Sequence, residues 1–342
     1  MSEPLQLTAL IETVNRNGTL DAAEMEFALD QMTAGALPPA DMGAFLLRLR
    51  ERGETVEEVT GAARLLRSRM TTVTAPPGTI DIVGTGGDGH HTYNVSTCAS
   101  FVAAGAGARV AKHGNRSVSS LSGASDVLAA LGVKLDVPPA VIERAIAEAG
   151  VGFMWAPMHH PTMKVWAPVR AELGVRTLFN VLGPICNPAN VKRQIVGVYD
   201  RRWLEPLANV LGNLGSEHAW VVHGHDGMDE LSTTGPTAVA ELRNGNVRVF
   251  EITPEDVDLP RATLAELKGG DAAVNAAALR GVLEGQPGPY RDIVQLNAAA
   301  ALVVGGQAND IHDGLILAGE AIASGEALAA LEGLIRITNT PA

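Results

Sequence analysis

The sequence predicts an α/β protein in which a small N-terminal helical subdomain joins a larger domain with a mostly parallel central sheet. Three observations carry that expectation. Residues 5–70 place apolar side chains at helical spacing; from Ile80 short apolar runs alternate with helical stretches; and residues 71–79, containing Pro76-Pro77-Gly78, interrupt the helical pattern between the two. Alternating strands and helices mark parallel strands with crossover helices. The proline and glycine punctuation marks a link suited to a hinge. The expected division is residues 1–72 and 73–342.

Four short helices fit the first segment. Pro38 and Pro39 suit a helix start, after which Met42, Phe45, Leu46 and Leu49 form one apolar stripe. Thr55 followed by Glu58 forms a capping box for the next helix, which turns Val59, Ala62, Ala63 and Leu66 inward. Beyond the break, residues 80–83, 108–111, 151–154, 195–199 and 219–222 read as buried strands, and a return to Ala-rich helices begins near Leu264. Ligands of such sheets bind at the carboxyl ends of the strands. No internal repeat or low-complexity tract interrupts the chain.

Composition narrows the function classes. The 342 residues are enough for two domains or for one with an appended subdomain, and 46% hydrophobic with 19% charged residues describes a soluble globular protein. A net charge of −12 excludes a global basic footprint for nucleic acid, and 4% aromatics leave few stacking platforms for single strands. Cys98 and Cys186 offer neither a disulfide framework nor zinc-ligand spacing, so a reducing cytoplasm is expected. The first residues lack a basic and apolar leader pattern, and no apolar run approaches the ~20 residues that span a bilayer.

The first strand runs into Gly84-Thr85-Gly86-Gly87-Asp88-Gly89, formally a dinucleotide pattern. A Rossmann unit would start its helix within these glycines and place an acid after the second strand. Here the helix is expected near Asn94-Val95-Ser96-Thr97, whose polar side chains suit a cap, and the second strand runs into Lys112-His113-Gly114-Asn115-Arg116. A glycine turn without a ligand is one alternative. The other is a phosphate cradle, in which glycine backbone and a helix N-terminus meet an anion, Lys112 and Arg116 neutralise it, and Ser117, Ser119 and Ser120 add donors.

These loops, with His159-His160-Pro161, Pro168-Val169-Arg170, Leu173 to Thr177, Phe179 to Pro184 with Asn187-Pro188, and Asp226 to Ser232, closely resemble the anthranilate phosphoribosyltransferase family. The resemblance implies a nucleoside phosphorylase/phosphoribosyltransferase type of fold. It implies that helices around 165–185 join the N-terminal subdomain, that the chain forms a homodimer, and that the active site lies between subdomains. It also implies a reaction in which the amine of anthranilate displaces pyrophosphate from phosphoribosyl pyrophosphate in the presence of Mg2+.

The family pattern would put Gly84, Gly87, Asp88, Thr92, Asn94, Val95, Ser96, Thr97, Lys112, His113, Gly114, Asn115, Arg116, Ser117, Val118, Ser119 and Ser120 around the phosphoribosyl donor. Ser96, Asp229 and Glu230 would serve Mg2+, and Gly84, Asn115 and Arg170 would meet anthranilate. Hard oxygen ligands suit Mg2+, and a planar guanidinium suits a carboxylate. No residue is assigned as general base: His113, His159 and His160 are pocket lining, with His113 the candidate proton acceptor, because an arylamine is already largely unprotonated near neutral pH. One departure stands at Ala124, where the family has a serine; either Ser125 substitutes or that contact is dispensable. The rival readings are a pyrimidine nucleoside phosphorylase-like enzyme and a non-catalytic nucleic-acid-binding relative. Charge favours small anionic substrates: residues 89–199 carry ten Lys and Arg against five acids, a local +5 within a chain of −12.

Overall fold

The computed structural model describes residues 5–116 and 121–340. The sequence expectation of four N-terminal helices is met by α1 (Leu7–Asn15), α2 (Ala22–Thr33), α3 (Pro39–Arg52) and α4 (Val56–Ser68). Their apolar stripes are buried, including all four stripe residues of α3 and all four named for α4. The capping box forms as expected and does more than cap. Glu58 is fully buried, and its carboxylate accepts from the N–H of Thr55 at 2.9 Å, from the N–H of Leu20 at 3.0 Å and from Arg52 at 2.5 Å, tying three helices together.

The link at 71–79 has no helix or strand, turns at Pro76–Thr79, and is pinned to the larger domain through Thr71 N–H to the His159 carbonyl and Val73 N–H to the Pro188 carbonyl. The chain then alternates β1 (Ile80–Gly84), α5 (Val95–Gly105), β2 (Val110–Gly114), α6 (Ala124–Ala130), α7 (Pro139–Ala149) and β3 (Val151–Trp155). Next come α8 (Ala156–His159), α9 (Met163–Leu173), α10 (Phe179–Ile185), β4 (Arg193–Gly197), α11 (Leu204–Asn213) and β5 (His218–Gly224). An antiparallel hairpin, β6 (Thr237–Arg243) and β7 (Asn246–Ile252), precedes α12 (Ala272–Leu283), α13 (Pro289–Gly305), α14 (Ile311–Ala323) and α15 (Glu326–Asn339).

Two expectations are corrected. The second strand lies two residues later than 108–111, because Gly107 and Ala108 still bond back to the end of α5; Lys112 and His113 therefore belong to the strand itself. The fourth is paired over Arg193–Gly197 rather than 195–199.

The seven strands order as β3-β2-β1-β4-β5-β6-β7, with the first five parallel and the last two antiparallel. Strand order reverses between β1 and β4, which opens a crevice outside their carboxyl ends, the place where such sheets bind ligands. Ile82, Val110, Ile195, Trp220 and Val222 face one core with α5 and the C-terminal helices. Val196, Val198, Ala219 and Val221 face the other. That second core runs continuously from α11 through α10 and Trp166 and Val169 of α9 into the N-terminal helices. Among the described residues no single helix is long and apolar enough to cross a membrane.

Candidate active site

Gly84 ends β1 and pairs in register with Gly197, which ends β4. A Cβ at either glycine would come closer than 3.0 Å to Asp229, at Gly84 to its carboxylate and at Gly197 to its main chain. Two bare strand ends at the switch point thus let the segment after β5 cross directly over them. The crossing carries Asp229 and Glu230 into the crevice: the Gly86 N–H donates to Asp229 Oδ2 at 2.6 Å, and the Ser96 N–H, in the first turn of α5, donates to Glu230 Oε1 at 3.2 Å. Asp226 holds the loop itself, accepting from Ser232 Oγ at 2.6 Å, Thr234 Oγ1 at 2.5 Å and the Met228 N–H at 3.0 Å.

Lys112, buried on β2, sends its ammonium to the Ile82 carbonyl at 2.6 Å and Ser96 Oγ at 3.3 Å. Burial lowers its pKa, while Asp81, Glu230 and Asp229 act in the opposite direction. Burial raises the Glu230 carboxyl, reinforced by Asp229; burial raises Asp229 too, reinforced by Asp88. These carboxylates crowd one another with Lys112 as the nearby cation. Such a set suits a divalent cation. Among the described residues no three His, Cys, Asp or Glu side chains close a protein-only cage, and Mg2+ in particular keeps waters and bridges to substrate phosphates. Asp229, Glu230 and Ser96 fit that ion.

Asp81 was not singled out by sequence, although a carboxylate inside the apolar run Ile80-Asp81-Ile82-Val83 is a readable anomaly. It is fully buried, pushed up to about 6 by desolvation against the pull of Lys112. Its oxygens accept from Asn187 Nδ2 at 2.7 Å and the His113 N–H at 3.3 Å, so Asn187 and Asp81 lock β2 to the link after α10.

The remaining expected residues lie on separate elements. Thr92 bridges to Lys268, while Val95 and Thr97 bury their side chains, leaving Ser96 between them to meet Glu230 through its N–H and Lys112 through its hydroxyl. Asn94 precedes α5 without capping it by side chain, because its amide is drawn to the Ser122 carbonyl at 3.3 Å and to Asn275 at 2.9 Å. Asn115 accepts from the Arg116 N–H at 2.8 Å, and exposed Arg116 lies 6.0 Å from the Trp155 ring centroid. Ser117, Val118, Ser119 and Ser120 lie outside the described residues. At the departure from the family pattern, Ser125 is fully buried with its hydroxyl unpartnered among the described residues, and Ala124 remains partly exposed.

Arg170 lies on α9, its guanidinium 5.7 Å from the Phe179 ring centroid and its pKa lowered by burial. The Nε2 atoms of His113 and His160 lie 3.2 Å apart. His159 Nδ1 sits 2.7 Å from the Thr71 carbonyl. Burial and the neighbouring rings hold His113 well below its usual value, and burial with His159 pushes His160 down to about 4.

This burial carries a pH signature. A neutral His160 contributes its full stability above pH 6.5, where the unfolded ring is also neutral, and loses it as the pH falls toward 4; the difference is about 3 kcal/mol. Asp81 acts with the opposite sign in an overlapping window, so two proteins must be compared. Between pH 7 and pH 4.5 the melting midpoint of His160→Gln should fall less steeply than that of the unsubstituted protein; parallel curves would refute the assignment.

Residues 76–328 match the glycosyl transferase family, a/b domain, and residues 8–70 match its helical bundle domain. An anthranilate phosphoribosyltransferase of Rhodopseudomonas palustris strain BisA53 is 56% identical over 98% of this chain and 99% of its own length, and one of Bradyrhizobium diazoefficiens is 56% identical over 97% and 99%. The crystal structure of the Thermus thermophilus enzyme superposes with a TM-score of 0.92 at 41% identity, covering 97% of this chain and 99% of that one. That of Saccharomyces cerevisiae, in complex with PRPP and Mg, does so at 0.87 and 29%, covering 97% of each. With the whole chain matched at these identities, it belongs to the anthranilate phosphoribosyltransferase family.

Proposed function

We propose that the chain transfers the phosphoribosyl group of phosphoribosyl pyrophosphate to the amine of anthranilate, giving N-(5-phosphoribosyl)anthranilate and pyrophosphate, in tryptophan biosynthesis. The observation that carries this reading is the crossing of Asp229 and Glu230 over Gly84 and Gly197, bonded at once to the glycine loop and to the start of α5. The yeast relatives bound to PRPP and Mg and to 4-fluoroanthranilate support it.

In this reading Mg2+ held by Asp229, Glu230 and Ser96 would offset the negative charge of the leaving pyrophosphate. Lys112 adds a buried positive charge beside Ser96, and the glycine loop and the first turn of α5 supply backbone donors. Arg170 and Asn115 hold anthranilate, Arg170 by its carboxylate, with Gly84 at the junction of the two substrates. His113, neutral because it is buried, accepts a hydrogen bond more readily than a proton, which an arylamine nucleophile tolerates. Residues 1–72, with the helices around 165–185, act as one subdomain that closes over the crevice and pairs in a homodimer; their shared apolar core supports the first part. The enzyme works in the cytoplasm.

Incubation with anthranilate, phosphoribosyl pyrophosphate and Mg2+ should consume the anthranilate fluorescence, and an unchanged signal at saturating substrate would sink the reading. Arg170→Ala should raise the KM for anthranilate by about tenfold or more, the worth of a charge-assisted hydrogen bond. The KM for the donor should stay put. Equal shifts in both constants would remove Arg170 from the acceptor site.

A further inference from the structure

The glycine loop is held from a second side. Arg176, in the turn between α9 and α10, donates from Nη2 to the Gly87 carbonyl and lays its guanidinium on Tyr199, 4.1 Å from the ring centroid. Tyr199 lies just beyond β4, and its N–H donates to Thr85 Oγ1 at 3.1 Å. The aromatic platform is thereby bonded to the same loop that the arginine grips. One residue earlier, the Gly86 N–H is committed to Asp229.

Gly86, Gly87 and Gly89 have φ of +67°, +78° and +82°. A glycine run in this region samples many conformers when free, so fixing it costs entropy that specific bonds must offset. The Gly87–Asp88 peptide is trans, so its carbonyl and its N–H point in opposite directions. Committing the carbonyl to Arg176 therefore turns the Asp88 N–H away from the guanidinium.

We propose that Arg176, stacked on Tyr199, is a positioning residue that holds the glycine loop in the conformation in which the Asp88 amide is offered to the diphosphate of the donor. The inference rests on the donor-binding reading of this loop. Its rival is direct contact: Arg176 is exposed and borders a cavity of about 450 Å3 that Arg50 and Arg202 line together with Glu51, Glu54 and Asp200, so it could release Gly87 and bind the anion itself.

The test uses the full chain with Arg176→Ala, Arg176→Lys and Tyr199→Leu. Both Arg176→Ala and Tyr199→Leu should raise the KM for phosphoribosyl pyrophosphate about fivefold, leaving the KM for anthranilate within about twofold. In the substrate-free protein, amide exchange across residues 84–89 should accelerate about tenfold in the same two variants. Arg176→Lys should restore part of both effects, since it can still donate to the carbonyl but lacks the planar fork. Unchanged exchange in both variants overturns the proposal, as does a raised donor KM in Arg176→Ala with Tyr199→Leu like the unsubstituted protein. An unsubstituted protein that fails to consume anthranilate counts against the proposed function instead, and the exchange measurement then still decides the hold on the loop.

Discussion

Asp229→Asn combined with Glu230→Gln is expected to lower Mg2+-dependent turnover at least about a hundredfold, the scale on which a lost electrostatic contact to developing charge acts. The fold should survive. Asp229 is buried and Glu230 partly so, and both carboxyls are held above their usual range, so neutral amides of the same shape remove mutual repulsion, and the two introduced amides can still accept from the Gly86 and Ser96 N–H groups through their carbonyl oxygens. In chelator the variant should therefore melt no lower than the unsubstituted protein. Turnover followed across a Mg2+ titration checks the assignment. A variant whose rate rises with Mg2+ as steeply as before would show that these two residues do not hold the ion.

Gly197→Ala should also damage activity, although no reacting group is touched. The added Cβ would lie closer than 3.0 Å to the Asp229 carbonyl, which is main chain and cannot turn aside as a flexible side chain would. Either the crossing segment lifts off β4, carrying Asp229 away from Gly86, or β4 shifts against β1; overpacking of this kind costs about 1–3 kcal/mol. Gly319→Ala on α14 is the control, since there the nearest atom is the end of the Gln295 side chain. We expect Gly197→Ala to lose at least about tenfold in turnover and to melt lower, with Gly319→Ala unaffected in rate. Full activity in Gly197→Ala would mean that the close crossing is not needed for catalysis.

Much of the architecture was legible along the chain because it is local. The stripes of α3 and α4, the Thr55–Glu58 box and the five parallel strands all follow from periodicity and capping over a few residues. The hairpin of β6 and β7 went unread although Asn244-Gly245, both at positive φ, is a hairpin turn signal. Its neighbours Ala238, Ala240 and Leu242 are buried on the side where a solvated strand would be polar, which hid the alternation. Glu58 shows the limit of a local motif: its spacing from Thr55 predicts a cap, while its bond to the Leu20 N–H depends on how α2 packs.

The loops rich in glycine and donors, the cationic stretch of residues 89–199, and the family resemblance were determined by the sequence alone, since each is a matter of which residues follow which. Only the tertiary structure decided that β1 and β4 are neighbours, so that Gly84 and Gly197, far apart along the chain, form one bare ledge for Asp229. The same is true of Arg176 reaching Gly87 across Tyr199, and of Asp81, whose charge is tolerable only because Lys112 and Asn187 arrive from other segments. The physical reason is common to all three. Burial and charge pairing depend on which surfaces meet across the sheet, and strand order, which sets those meetings, leaves no local mark on the chain.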